Sequence, residues 1–320
     1  MPLATYRTLV GIGKEVTQGT PVAPVDFIPV TNDPKPSTKL TLLEDKGWRG
    51  SATDTFGMVA GQRKADFSID GNVDTATIGY FLQSVLPDLV VTGAATPYTH
   101  VFSLLNSGLQ QPTGYTITDF DGGQSNQFAA ARFSDLSIDF TADGLLKFTS
   151  KALAWAPVPY ATALAPAFSP NAPLASWVGV AQIAGVSTLI IMDGSVDLKR
   201  TVEAIQTVDG NQDPYKMWTG LLTVSGKLNV IYEDQAELAR YLNNTQPSLD
   251  LKWSAGANSS LQLHMSKVAY TVADVQRSKA FGMVSISYTA QANVTDVGAS
   301  LGYSPIKATL VNGKPSGTFA

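Results

Sequence analysis

Phe67-Ser68-Ile69-Asp70-Gly71-Asn72-Val73 alternates apolar and polar residues, the period-two pattern of a strand with one buried face. It runs directly into Asp74-Thr75-Ala76-Thr77-Ile78-Gly79-Tyr80-Phe81-Leu82-Gln83-Ser84-Val85-Leu86-Pro87. There Ile78, Phe81, Leu82 and Val85 fall on one helical face, with Asp74 as the expected N-cap and Pro87 as the stop. The same order recurs downstream. Leu222-Thr223-Val224-Ser225-Gly226-Lys227-Leu228-Asn229-Val230 alternates in the same way, Asp234 opens a helix carrying Leu238, Tyr241 and Leu242, and Pro247 follows. Gly71 answers to Gly226 at an offset of about 155 positions, and Phe81-Leu82 to Tyr241-Leu242 at about 160, so a short insertion precedes the second helix.

Beyond each helix the pattern continues. Phe133 to Ile138 alternates, then Phe148, Ser150, Ala152 and Ala154. In the second half Met265 to Tyr270 precedes Ile286, Tyr288, Ala290 and Ala292. Strand, helix, strand, strand in one order twice implies internal duplication. The expected fold is therefore mainly β (α+β): two units, each a twisted antiparallel sheet in a sandwich or half-barrel with one flanking helix. The first unit with an N-terminal arm spans 1–158. A linker rich in Pro and Ala, 159–187, carries no periodicity. The second unit spans 188–296, and 297–320 reads as a C-terminal arm. Open sheets of this kind have edges, and edges seek partners.

Composition narrows the function. Of 320 residues, 44% are hydrophobic and only 15% charged, against about 25% charged in an average soluble domain. Thr, Ser, Ala, Val and Gly fill the gap, as suits a β-protein with much surface buried against neighbours. The net charge of -4 argues against a protein that grips phosphates. There is no cysteine, which excludes disulfides, thiolate nucleophiles and cysteine-based zinc sites. Met1-Pro2-Leu3-Ala4-Thr5-Tyr6-Arg7 lacks the basic start and apolar run of a signal peptide. No apolar run reaches the roughly 18 residues of a membrane span.

No catalytic, cofactor or metal site is expected. Gly11-Ile12-Gly13-Lys14-Glu15 lacks the spacing and the following Ser or Thr of a phosphate loop, and reads as a turn after a strand. His100 and His264 have no ligand-spaced companion, and no Gly-x-Ser-x-Gly elbow singles out a nucleophile. Asp135 and Asp139 share a strand face, and Asp119 with Asp121 to Asn126 lacks the acidic spacing of a calcium loop. Two stretches read instead as contact loops. Glu44 to Gln62 carries Trp48, Arg49, Phe56 and Met58, and Lys199 to Met217 carries Arg200, Ile205 and Tyr215. Polar loops with a few aromatic anchors suit interfaces. The polar strand faces offer Asp66, Asp70, Asp135 and Asp139 in the first half, with Ser285 and Ser287 in the second.

Gly11 to Pro24, followed by Phe27-Ile28-Pro29-Val30, resembles the opening of the tail tube (major tail) proteins of long-tailed, siphovirus-type bacteriophages. Leu222 to Leu251, with Tyr232-Glu233-Asp234 and Leu249-Asp250-Leu251, is similar to their second half, as is Leu261 to Ala292. Thr92 to Asn126 matches no part of the pattern. The resemblance implies a structural virion protein and no enzyme. Its units form rings whose strands join into one barrel, and the rings stack into the tail tube through which viral DNA passes during ejection, without specific binding. It also implies tape-measure, tail terminator and distal tail proteins as partners, assembly in the host bacterial cytoplasm, and no membrane. Two units per chain favour a trimer with pseudo-sixfold symmetry over a hexamer, with the polar faces above as candidates for the lumen. The competing class is a surface or secreted β-sandwich that binds carbohydrate or a receptor, which would call for a signal segment and an aromatic-lined cleft.

Overall fold

The structure, a computed structural model, describes residues 5–34, 36–277 and 280–320, so Met1 to Ala4 of the expected N-terminal arm lie outside the described residues. Strands β1 (Leu9–Lys14), β2 (Asp26–Ile28), β3 (Ser37–Lys46) and β4 (Thr55–Asn72) lead to helix α1 (Ile78–Val85). Then come β5 (Asp88–Thr92), β6 (Tyr98–Ser103), β7 (Tyr115–Phe120), β8 (Ser125–Thr141), β9 (Lys147–Ala154) and β10 (Val158–Tyr160). The hairpin β11 (Val180–Ile183) and β12 (Val186–Thr188) precedes β13 (Ile191–Ile205), β14 (Lys216–Ile231) and helix α2 (Ala236–Leu242). β15 (Leu249–Ser254), β16 (Ser260–Met265), β17 (Val268–Gln276), β18 (Met283–Ala290) and β19 (Lys307–Asn312) complete the chain.

These strands form a 12-stranded and a 7-stranded sheet. The larger contains two runs of the same order, β3-β4-β9-β8 and β13-β14-β18-β17, joined where β8 pairs antiparallel with β13. The expected alternation is what buries one face. Phe67, Ile69 and Gly71 of β4 are buried between half-buried Ser68, Asp70 and Asn72, and Val224, Gly226, Leu228 and Val230 repeat this on β14. Gly71 and Gly226 face an aromatic of the neighbouring strand. A Cβ on Gly71 would lie 2.8 Å from the Phe148 ring, and one on Gly226 would lie 2.5 Å from the Tyr288 hydroxyl and 2.1 Å from the Ser195 carbonyl oxygen. In both runs the missing side chain makes the slot that the ring fills.

One apolar core spans both sheets. α1 is buried along its whole length, with Phe81 4.6 Å from Phe133 and 4.7 Å from Phe148 between ring centroids. Phe140 of β8 meets Trp253 of β15 at 5.3 Å, tying the large sheet to the small one. α2 lies over β17, where the Tyr270 hydroxyl donates to buried Glu237 at 2.8 Å.

Several expectations need correction. Residues 297–320 are not an arm. β19 sits between β16 and β6 in the small sheet, with Ile306, Ala308, Leu310 and Phe319 fully buried. The stretch 159–187 is not all linker, because β11 and β12 form the edge hairpin of the same sheet, β11 beside β15, and Leu174 is buried. Gly11 to Lys14 is not a turn but part of β1, which pairs with β7 and buries Val10 and Ile12. Asp74 does not cap α1 itself. It accepts the Ala76 N–H at 2.9 Å one turn earlier, and Thr77 holds the cap position.

Candidate functional site: two hairpin arms and a polar sheet face

The two stretches read as contact loops are mostly strand. β3 and β4 continue as a ladder to Lys46 and Thr55, so the first arm is a long hairpin whose tip is 47–54. Every residue of β3 is exposed, as are Met58 and Val59, because among the described residues no second layer covers this part of the hairpin. The tip is nonetheless held by contacts of its own. The Gly47 N–H donates to the Asp54 carbonyl at 3.1 Å, Arg49 donates to Asp45 at 2.7 Å, and its guanidinium lies 4.5 Å from the centre of the Phe56 ring. Trp48 projects from this frame, fully exposed.

The second arm, the distal part of the β13–β14 hairpin, folds onto the first half of its own chain. Asp213 accepts two N–H bonds from Arg63 of β4, at 2.8 and 2.7 Å, and the Arg63 backbone N–H donates to Gln212. Met217 is buried against Ala130 and Leu153. Arg200 does not belong to a loop. It is 4% exposed and donates to the carbonyls of Gly220, Val85 and Gln110, so it anchors the arm's root and is withdrawn from surface contact. Burial, which disfavours the charged form, lowers its pKa to about 10. Ile205 and Tyr215 flank the tip and stay exposed.

Asp66, Asp70, Asp135, Asp139, Ser285 and Ser287 come together on one face of the large sheet. Register places them so: Asp70 pairs with Thr149, Asp135 with Lys151 and Lys199, Asp139 with Lys147 and Ser195, and Ser287 with Lys227. The face is less acidic than the aspartates alone suggest, since each strand of aspartates faces lysines. Lys39 pairs with Asp66, and Lys151 lies 3.9 Å from Asp135. Hydroxyls and amides fill the rest: Ser137 donates to Asp197 and Asn229 to Asp193, both at 2.6 Å. Burial, then the neighbouring Asp197, raises the Asp139 pKa.

Sequence reasoning missed one arrangement. Asp250, His264 and Ser266 stand in line, with Asp250 2.8 Å from His264 Nδ1 and Ser266 Oγ 3.2 Å from Nε2. Asp250 and His264 are cross-strand partners on β15 and β16, a proximity that only register creates. The line does not work as a nucleophile and base. Ser266 donates its proton to buried Asp296 at 2.8 Å. The bond to Asp250 raises the His264 pKa, and Asp296 adds to the effect, while the Ser266 proton points to Asp296 and not to the imidazole. The trio is a clasp between β15, β16 and the segment before β19. Asp121 caps its own turn through Gly123 and Gln124 N–H, as a polar turn should. Among the described residues no group of three or more His, Asp or Glu is placed to hold a metal ion, and no helix is long and apolar enough to cross a membrane.

Comparison with known proteins agrees with the architecture. A family model described as phage tail tube protein matches residues 5–308, nearly the whole chain. No curated protein matches it.

Proposed function

The chain belongs to the phage tail tube protein family, and on that premise we propose that three copies close into one ring, each copy contributing two tube units. As a tail tube protein it is a structural virion component of the phage tail that self-assembles into a tube. The observation that carries the trimer is the β8–β13 pairing. The last strand of one run already joins the first strand of the next within the chain. The same step between chains joins β17 of one copy to the β3 side of its neighbour. Strands alternate in direction along the whole run, so this junction is also antiparallel. Among the described residues both are free edges, and free edges recruit partners. Three double units turn through the angle of six single ones and close the ring.

The units, 1–158 and 188–296, are two copies of one plan, supported by their identical strand order and by the Gly71–Phe148 and Gly226–Tyr288 pairs. The second arm, seated on its own first half, supplies the pattern for the first. The exposed flanks of the first arm, with Phe56 and Met58, cover the second unit of the adjacent chain. Ile205 and Tyr215 remain contact residues at the second tip. The polar face lines the lumen, where aspartates interleaved with lysines and hydroxyls give DNA no continuous basic track, and it passes unheld. Rings stack into the siphovirus-type tube, assembled in the host cytoplasm with tape-measure, tail terminator and distal tail proteins as partners.

A cryo-EM cross-section of tubes, with the mass of isolated rings, tests this. Three chains per ring with both halves lining the lumen are expected. Six chains per ring with one half facing outward overturn the trimer.

A further inference from the structure

The arms point to one end of the molecule, and a cavity opens at the other. β4 descends from the first arm's tip at Thr55 to Asn72, and Asn72, Lys147, Asp139 and Ser195 share one row across the sheet. Just past that row, farthest from the tips, Phe140 and Ile191 join Leu251 and Trp253 in walling a cavity of about 260 Å³. Trp177 and Leu189 stand at its mouth, both strongly exposed. A smaller cavity of roughly 150 Å³ is enough to take benzene, and indole is only about half again as large.

At the opposite end stands Trp48, fully exposed on a tip braced by the Gly47–Asp54 and Arg49–Asp45 bonds. Charge matches shape. Arg49 adjoins the indole, and one bond to Asp45 leaves most of its donors free for a second acceptor. Asp143, exposed in the turn after β8, adjoins the cavity residue Ala142. A knob and a hole on opposite ends of one molecule cannot satisfy each other pairwise. They form a head-to-tail contact that passes from copy to copy, as an open filament requires.

We propose that Trp48 of one copy inserts into the Trp177–Leu189 cavity of a copy in the next ring, with Arg49 meeting Asp143, and that this contact stacks rings into a tube. The occupant is a second copy of this chain. The inference rests on the tube reading above but concerns the axial contact alone. Buried tryptophans within a pocket carry a large share of interface energy, and two tryptophans in the walls suit an aromatic guest.

The test compares full-length Trp48→Ala, Leu189→Asp, Arg49→Asp, Asp143→Arg and the Arg49→Asp/Asp143→Arg double variant by sedimentation and negative-stain microscopy. All the substituted side chains are exposed in the free chain, so folding checked by circular dichroism is expected to be unchanged. Trp48→Ala and Leu189→Asp are expected to leave rings intact while raising the protein concentration needed for tube growth at least about tenfold, the effect of losing one good contact. The two charge variants are expected to shorten tubes singly and to restore them together. Tubes growing from Trp48→Ala at the native concentration overturn the inference and leave the ring reading standing. Loss of rings in Trp48→Ala also overturns it, by moving Trp48 to a contact within the ring. A native chain that gives neither rings nor tubes removes the tube reading and this inference with it.

Discussion

At the scale of single residues, His264 carries the clearest pH dependence. Its raised pKa comes from the Asp250 bond first and from Asp296 second. A histidine whose folded pKa is raised contributes stability that is complete below the unfolded value, about 6.5, and fades as pH rises through the folded value. Its partner Asp250 has a lowered pKa, so that share is present above the carboxylate range and lost on acidification. Replacing His264 with Gln is therefore expected to destabilise the chain by about 0.5–1 kcal/mol in mildly acidic buffer, a figure discounted for the partly exposed imidazole. The loss should shrink toward zero in alkaline buffer. Urea unfolding of both proteins across that range measures it, and a pH-independent difference would show that His264 acts by packing alone. Gly226 illustrates the opposite kind of residue, one whose value is what it lacks. No side chain fits between the Ser195 carbonyl and the Tyr288 hydroxyl.

At the scale of elements, β19 decides whether the small sheet exists. It is the only link between β15-β16 and β5-β6 among the described residues, and Leu310 is fully buried within it. Leu310→Ala is expected to cost about 2–5 kcal/mol, measured by denaturant unfolding, and to lower the yield of soluble protein. An unchanged midpoint would show that the small sheet holds without its central strand. This strand was the least legible in the sequence. Lys307-Ala308-Thr309-Leu310-Val311-Asn312 alternates, but over few residues, with a small Ala and with Gly and Pro nearby, so its burial depends on two partners far away in the chain. The strands around Ile69, Ile138 and Leu228 were readable because one face is buried along its length and alternation records that directly. The arms read as loops in the sequence because strand exposed on both faces leaves no alternation to find, and all of β3 is of that kind. Arg200 looked like a surface cation for a related reason. Its burial is created by Val85 and Gln110 of the other half, which no local pattern announces.

At the scale of the whole molecule, the proposed placing of the polar face in the lumen predicts how an assembled tube treats DNA. Binding by phosphate neutralisation weakens steeply with added salt, at a slope near one per neutralised phosphate. A face that sets Lys151 against Asp135 and Lys39 against Asp66 has little such capacity. Tubes are expected to bind short duplexes weakly, with a shallow salt slope in fluorescence anisotropy. Tight binding that collapses between low and moderate salt would overturn the proposal that the polar face leaves DNA unheld. The position of β19 also sets an order of events during synthesis. Both runs of the large sheet precede it, so they emerge from the ribosome while the β5-β6 and β15-β16 pairs still have no strand between them. The hydrophobic core they share is sealed only once Lys307–Asn312 has been translated and threaded into place. A molecule whose small sheet is still open is then a poor building block, and polymerisation is expected to select the copies in which that strand has closed it.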